Sequence, residues 1–335
     1  MRFFLDVEQR EFARSLDGML AAAGTPGAAR AWAAGDTAPG RALWSRLAEA
    51  GVFALAVPQR HDGLGPLPVE LAVAFTELGR HAVPGPLVET VAGAALLGRL
   101  DDLQGLDEDG AAASWLPEIA SGKAVVSLCM PAVTGPYALD PDTADAVLVV
   151  EGDTVRLAET TGPVQPSADP ARRLARPLGG TFLARGPAVA AAAAHAAEVA
   201  ALATAAQSLG LGRALLDRTV AYVKQRTQFG VAIGSFQAVK HRLADALIAL
   251  EFAQPLLHSA ALALAEGADR SSVEVAAAKV TAGEAAYAAA RAALQLHGAV
   301  GYTEELDLAL WIRKARPLRD AWGAPAACRA RVLAP

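Results

Sequence analysis

The feature that most constrains this chain is a series of long, alanine-rich stretches in its second half, separated by glycine-bearing turns. Ala188–Gln225, Ser235–Glu266 and Ser271–Leu296 each read as one helix, and a shorter one follows from about Glu304 to Arg313. The breaks fall at Gly230 and Gly234, at Gly267, and at Gly298 and Gly301. Long helices joined by short turns pack as antiparallel neighbours, so residues 187–335 are expected to form a C-terminal four-helix bundle. Composition agrees, because hydrophobic residues reach 53% with much alanine, while aromatics are only 5%. Alanine is the strongest helix former, which favours close-packed helices over a sheet-dominated fold. The most apolar run, Ala188–Ala206, contains His195 and Glu198 and is expected to pack inside a soluble protein rather than span a membrane.

The first part, residues 1–118, also reads as helical. Leu5, Phe12, Leu16 and Leu20 share one face behind Asp6, a suitable N-cap. Gly24–Gly40 is expected to be a loop, Val69–Leu78 a helix ended by Gly79, and Leu87–Leu100 a helix that starts after Val83-Pro84-Gly85-Pro86. Residues 119–186 change character. Ala124–Cys129, Ala146–Val150 and Thr154–Leu157 are short strand-like runs separated by prolines, which predicts a small β domain. With 30 basic and 35 acidic residues and no basic block, the chain offers nothing to nucleic acid or a membrane surface. Cys129 and Cys328 form neither a disulfide framework nor a metal-ligand pattern, so a reducing cytoplasm fits. The opening MRFFLDVEQREF carries acidic residues too early for a signal peptide.

The stretch Arg226–Asp245, RTQFGVAIGSFQAVKHRLAD, stands between two of the long helices. Ser235 is a suitable N-cap for the second, with Val239, Leu243, Leu247 and Leu250 spaced as one apolar face. A cation and an aromatic beside a helix N-terminus suit a phosphate-bearing ligand with a flat ring. The same residues also suit an ordinary helix–helix connection with a solvated arginine.

RTQFG, followed by Ile233, Phe236-Gln237 and Leu243-Ala244-Asp245, resembles the loop and helix start of the acyl-CoA dehydrogenase family. QLHGAVGYTEE (Gln295–Glu305) is similar to that family's Q-x-x-G-G-x-G-Y signature. DVEQREF, LAEAGVFALAVPQRHDGLG and ELGRHAVPGPLVET extend the resemblance through the opening third. It implies a mostly α fold with an N-terminal helical domain, a reduced β domain and a helical bundle. It also implies that Arg226, Phe229, Gln237, Gln295 and Gly298 hold the pyrophosphate and adenine end of FAD bound mainly to a neighbouring subunit. The second signature glycine is Ala299 here, so backbone approach must tolerate a methyl.

The family's catalytic carboxylate is missing from both of its usual places. Most members carry it in a Y-E-G-T motif. Matching Arg313-Lys314-Ala315-Arg316 to the family's R-D-A-K brings that motif onto Ala321-Trp322-Gly323-Ala324, so Trp322 stands where the Glu belongs. An indole cannot accept a carbon-bound proton. Other members place the Glu on the helix before the RTQFG-like loop, which here falls near Ala200. Glu198, two residues away, is turned about 200° round the helix. Asp320 precedes Trp322 by two residues. The family's T-E-P-x-A-G-S-D segment corresponds to Cys129-Met130-Pro131-Ala132, and no Trp-Ile-Ser/Thr lies between Ala132 and Arg185.

The resemblance therefore implies a shortened subunit without a catalytic residue of its own, paired with a full-length homologue as α2β2 and completing that partner's FAD site for an acyl-CoA substrate. Such subunits resemble those of actinobacterial enzymes for bulky sterol-type thioesters. Two alternatives stand beside it. One is a self-sufficient homo-oligomeric dehydrogenase whose base is Glu198 or Asp320. The other is a non-enzymatic acyl-CoA-binding or scaffold homologue.

Overall fold

A computed structural model describes residues 5–104 and 110–334. Met1–Phe4, where the signal-peptide reading begins, lie outside them. Among the described residues, six α-helices open the chain: α1 (Val7–Ala21), α2 (Thr25–Ala33), α3 (Ala38–Glu49), α4 (Pro68–Arg80), α5 (Leu87–Gln104) and α6 (Ala111–Ala120). Asp6 caps α1 as expected. Its carboxylate accepts from Gln9 N at 2.8 Å, and the Gln9 side chain accepts from Asp6 N at 3.1 Å, a reciprocal box. The expected loop Gly24–Gly40 is instead mostly helix, occupied by α2 and the start of α3. Pro26 and Pro39 sit in the first turns of these helices, where a missing N–H costs nothing, so residues that read as breakers are starters.

Gly79 does not end α4, which runs to Arg80. It marks a helix crossing. A Cβ on Gly79 would lie 2.0 Å from the Gln207 carbonyl oxygen, and one on Gly210 would lie 1.8 Å from that of Thr76. Backbone therefore packs directly on backbone where the N-terminal helices meet the bundle, which only glycine permits.

Among the described residues the main sheet has four strands. Val126–Cys129 pairs in parallel with Ala146–Glu151, which runs antiparallel to Thr154–Leu157 and that to Thr181–Arg185. The first three match the expected runs. The fourth is a half-exposed edge whose apolar run, Phe182-Leu183-Ala184, is only three residues long. One turn of helix, α7 (Pro131–Thr134), leaves the first strand. Thr90 on α5 ties helix to sheet: its Oγ1 donates to Val126 O at 2.6 Å and accepts from Val126 N at 3.2 Å.

The bundle consists of α8 (Pro187–Gln225), α9 (Gln237–Ala265), α10 (Ser271–His297) and α11 (Leu308–Asp320), with a terminal α12 (Pro325–Leu333) that the sequence did not announce. α8 and α9 are long and apolar enough to cross a membrane by length and composition, but 61% of the apolar window of α8 is buried in the protein. Ser235 is not the N-cap of α9. It closes a 3₁₀ turn, its hydroxyl donating to Ala232 O at 2.7 Å, and the helix starts at Gln237. The expected apolar face of α9 also splits. Leu250 is buried with Ala246, Ala253 and Leu257, whereas Leu247 faces outward with Ile248, Phe252 and Leu256. A second apolar face on one helix requires a second surface to cover it.

Candidate functional site: an exposed clasp and a buried pocket

Tyr222 and His297 bring the ends of α8 and α10 together. Their rings stack at 4.0 Å, and His297 is further fixed by Nδ1 to Ala293 O at 2.8 Å. This histidine is a packing residue; its burial pushes its pKa down. The stack places the two motifs singled out in the sequence at one end of the bundle. On one side, Arg226 closes α8, and Thr227–Gln228 pairs with Val231–Ala232 in a two-residue hairpin. Phe229 (φ 53°) and Gly230 (φ 81°) form its tip, both left-handed, as the tightest hairpin turn demands. Phe229 is 92% exposed, its ring set edge-on to that of Phe236 with centroids 6.3 Å apart. Arg226 is exposed and makes no ion pair among the described residues, and exposed Gln237 opens α9. On the other side lie exposed Gln295 and Gly298. Gly298 has φ 64° and open space where a Cβ would be. A free guanidinium, an outward aromatic, two amides and an unobstructed glycine form a surface suited to a dinucleotide's phosphates and flat base.

The second place is a cavity of about 330 Å³ between α5, the β domain and α11. Trp322 forms part of its wall, 4% exposed, on the turn between α11 and α12. Its Nε1 donates to Glu89 Oε1 at 2.9 Å. Glu89, in the first turn of α5, is also 4% exposed, and its Oε2 has no partner. Burial pushes its pKa up, opposed by the charges of Arg172 and Lys314 and by the indole bond. Lys314 is itself engaged, in a buried pair with Asp169 at 2.7 Å. Asp140 lies in the same junction and is pushed up to about 7 by burial.

Of the two carboxylates suggested by the sequence, Asp320 borders this cavity, half-exposed beside Arg319 at 3.8 Å. Glu198 does not. It accepts from Ser271 Oγ at 3.0 Å and borders a separate cavity of about 450 Å³ on the opposite side of α5. Ala200 is wholly buried in the core. Sequence reasoning passed over Glu89. An acidic residue in the first turn of a helix normally reads as a response to the helix dipole, and only its burial against Trp322 marks it out.

Helical domain, small sheet and helical bundle, joined around a cavity walled by Trp322, define the three-part architecture of the acyl-CoA dehydrogenase fold. Residues 6–123 match the family profile described as acyl-CoA dehydrogenase, N-terminal domain, and residues 190–332 that of the C-terminal domain. The chain belongs to the acyl-CoA dehydrogenase family. It is 33% identical over 325 residues to acyl-CoA dehydrogenase IpdE2 of Mycolicibacterium smegmatis, covering 95% of this chain and 96% of that one. Among solved structures it resembles a steroid ACAD variant (TM-score 0.80, 23% identical, 97% and 96% of the two chains). It also resembles the ChsE4-ChsE5 complex from Mycobacterium tuberculosis (TM-score 0.79, 24% identical, 98% and 97%).

Proposed function

We propose that this chain is the shortened subunit of a hetero-oligomeric acyl-CoA dehydrogenase, lending its exposed clasp to the FAD of a full-length partner while the partner carries out proton abstraction. The observation that carries the reading is Trp322. In the ungapped match to the family it stands at the position of the base, buried, with its indole N–H donating to a carboxyl. Carbon acids need a carboxylate in hydrogen-bond reach of the α-carbon, and the indole provides none.

The clasp fits the adenosine diphosphate end of FAD. Arg226 has a charge to give, Phe229 a face to stack, and Gln237 and Gln295 amides to bond, while Gly298 leaves room for a phosphate. When bound, FAD supplies the acceptor for the β-hydride that leaves an acyl-CoA thioester as a base takes the α-proton. The outward face of α9, with Leu247, Ile248, Phe252 and Leu256, supports a partner that covers it. The likeness to a complex of two differently named chains and to a steroid ACAD supports an α2β2 assembly acting on a bulky sterol-type thioester. The test is to purify the chain alone and together with a co-encoded full-length homologue, then measure flavin per chain and dye-coupled acyl-CoA oxidation. Fewer flavins than chains, and activity only in the mixture, are expected. One FAD per chain with turnover by the isolated protein defeats the proposal.

A further inference from the structure

The turn that carries Trp322 is clamped from two sides. From α10, Lys279, fully buried, donates through Nζ to the carbonyls of Leu318 (3.1 Å), Arg319 (2.9 Å) and Gly323 (3.2 Å). From α5, Glu89 accepts the indole N–H, and its neighbour Thr90 is bonded to the first strand. Between the clamps, Trp322 sits at φ 51°, a left-handed conformation that costs a bulky residue on the order of 1–3 kcal/mol. Gly323 follows at φ 133°, and a Cβ there would stand 2.9 Å from Cys328 Sγ. Such backbone persists only where its surroundings over-determine it. The indole is therefore held at the cavity wall by construction.

Glu89 is the costly member of this arrangement. Its second oxygen is buried without a partner, which a leucine at the same place would avoid. Arg172 and Lys314 act on it through their charges but do not bond to it. Among the described residues, the only other side chain that bonds to its carboxyl is the indole, and that bond fixes the ring's orientation.

We propose that Trp322 is a plug latched by Glu89: in the family match the ring stands where the base belongs, on the wall of the cavity that a thioester would enter, so this chain's own pocket excludes CoA thioesters. Glu89 is a positioning residue that acts through the indole, and Lys279 fixes the turn that carries it. The proposal rests on the reading of Trp322 as the former base position, and it confines turnover to pockets of the partner.

The test needs neither FAD nor a partner, so its failure leaves the clasp untouched, and failure of the clasp leaves it untouched. The full chain is titrated with S-octyl-CoA thioether. The wild type is expected to show no saturable binding. Trp322→Gly, a residue that suits the left-handed turn, is expected to bind about tenfold more tightly or better. Glu89→Leu, which removes the latch, should gain binding in the same direction, whereas Glu89→Gln, whose amide oxygen still accepts the N–H, should behave as wild type. Iodide quenching of the Trp322 emission, obtained by difference from Trp322→Phe, should rise several-fold in Glu89→Leu and not in Glu89→Gln. Wild-type binding as tight as that of Trp322→Gly overturns the proposal, as does a Glu89→Leu protein unchanged in both binding and quenching.

Discussion

Replacing Arg226 by alanine separates a ligand-holding role from a structural one. The guanidinium is exposed and forms no ion pair with any described residue, so nothing in the fold depends on its charge. Surface substitutions of this kind change stability by less than about 0.5 kcal/mol. Toward a phosphate the balance differs. A charge-assisted hydrogen bond is worth about 1.5–3 kcal/mol, which corresponds to roughly 10- to 150-fold in affinity. The Arg226→Ala assembly should therefore unfold at the same urea midpoint as wild type and yet lose FAD over that range, measured by titrating FAD back into deflavinated assembly. Arg226→Lys should fall between the two, because an ammonium keeps the charge and loses the planar fork. The wild-type affinity should also weaken with added salt, since the site is open to solvent. Unchanged FAD affinity in Arg226→Ala at low salt refutes the assignment of this loop to the cofactor.

Further outcomes follow from the same geometry. Lys279→Met leaves three carbonyls of the Trp322 turn without their donor, and a loss of about 3 kcal/mol is expected in denaturant titrations. Burial raises Glu77 to about 7, so its stabilising contribution is complete below about pH 4.5 and disappears as pH rises through 7. Stability should decline across that window by on the order of 3 kcal/mol from this group, and Glu77→Gln should flatten the decline when urea midpoints are followed against pH. Phe252→Asp on the outward face of α9, where the ring is 69% exposed, should leave the isolated chain folded and abolish co-purification with a full-length partner. A stable mixed assembly carrying that substitution would place the interface elsewhere.

Much of the architecture was legible because helix and strand signals are local. The alanine-rich stretches fixed α8, α9 and α10 to within a few residues, and Asp6 announced α1 through a box closed by a residue three positions away. The β-branched runs placed three of the four strands of the main sheet. What failed was the reading of glycine and proline as stops. Pro26 and Pro39 begin helices, and Gly79 allows a crossing, because the same residue serves a turn or a close approach depending on what lies opposite. Ser235 and Leu247 were misjudged for a related reason. Ser235 was read from its capping side chain and Leu247 from its spacing, whereas the start and the buried side of α9 are set by what it packs against.

The segment proposed as a clasp could be picked out in one dimension, since Arg226, Phe229 and Gln237 lie within twelve residues of one another, and the structure adds that all three are exposed. The substitution at Trp322 was also visible there, as the absence of an expected carboxylate. Only the folded chain shows that Glu89, far away in sequence and unremarked among apolar neighbours, bonds to that indole, and that Glu198 belongs to a different cavity. Sequence determines which side chains a segment presents, because backbone preferences act over a few residues. Which carboxyl becomes buried, and against which partner, is decided when helices distant in the chain close on one another and remove water from the space between them.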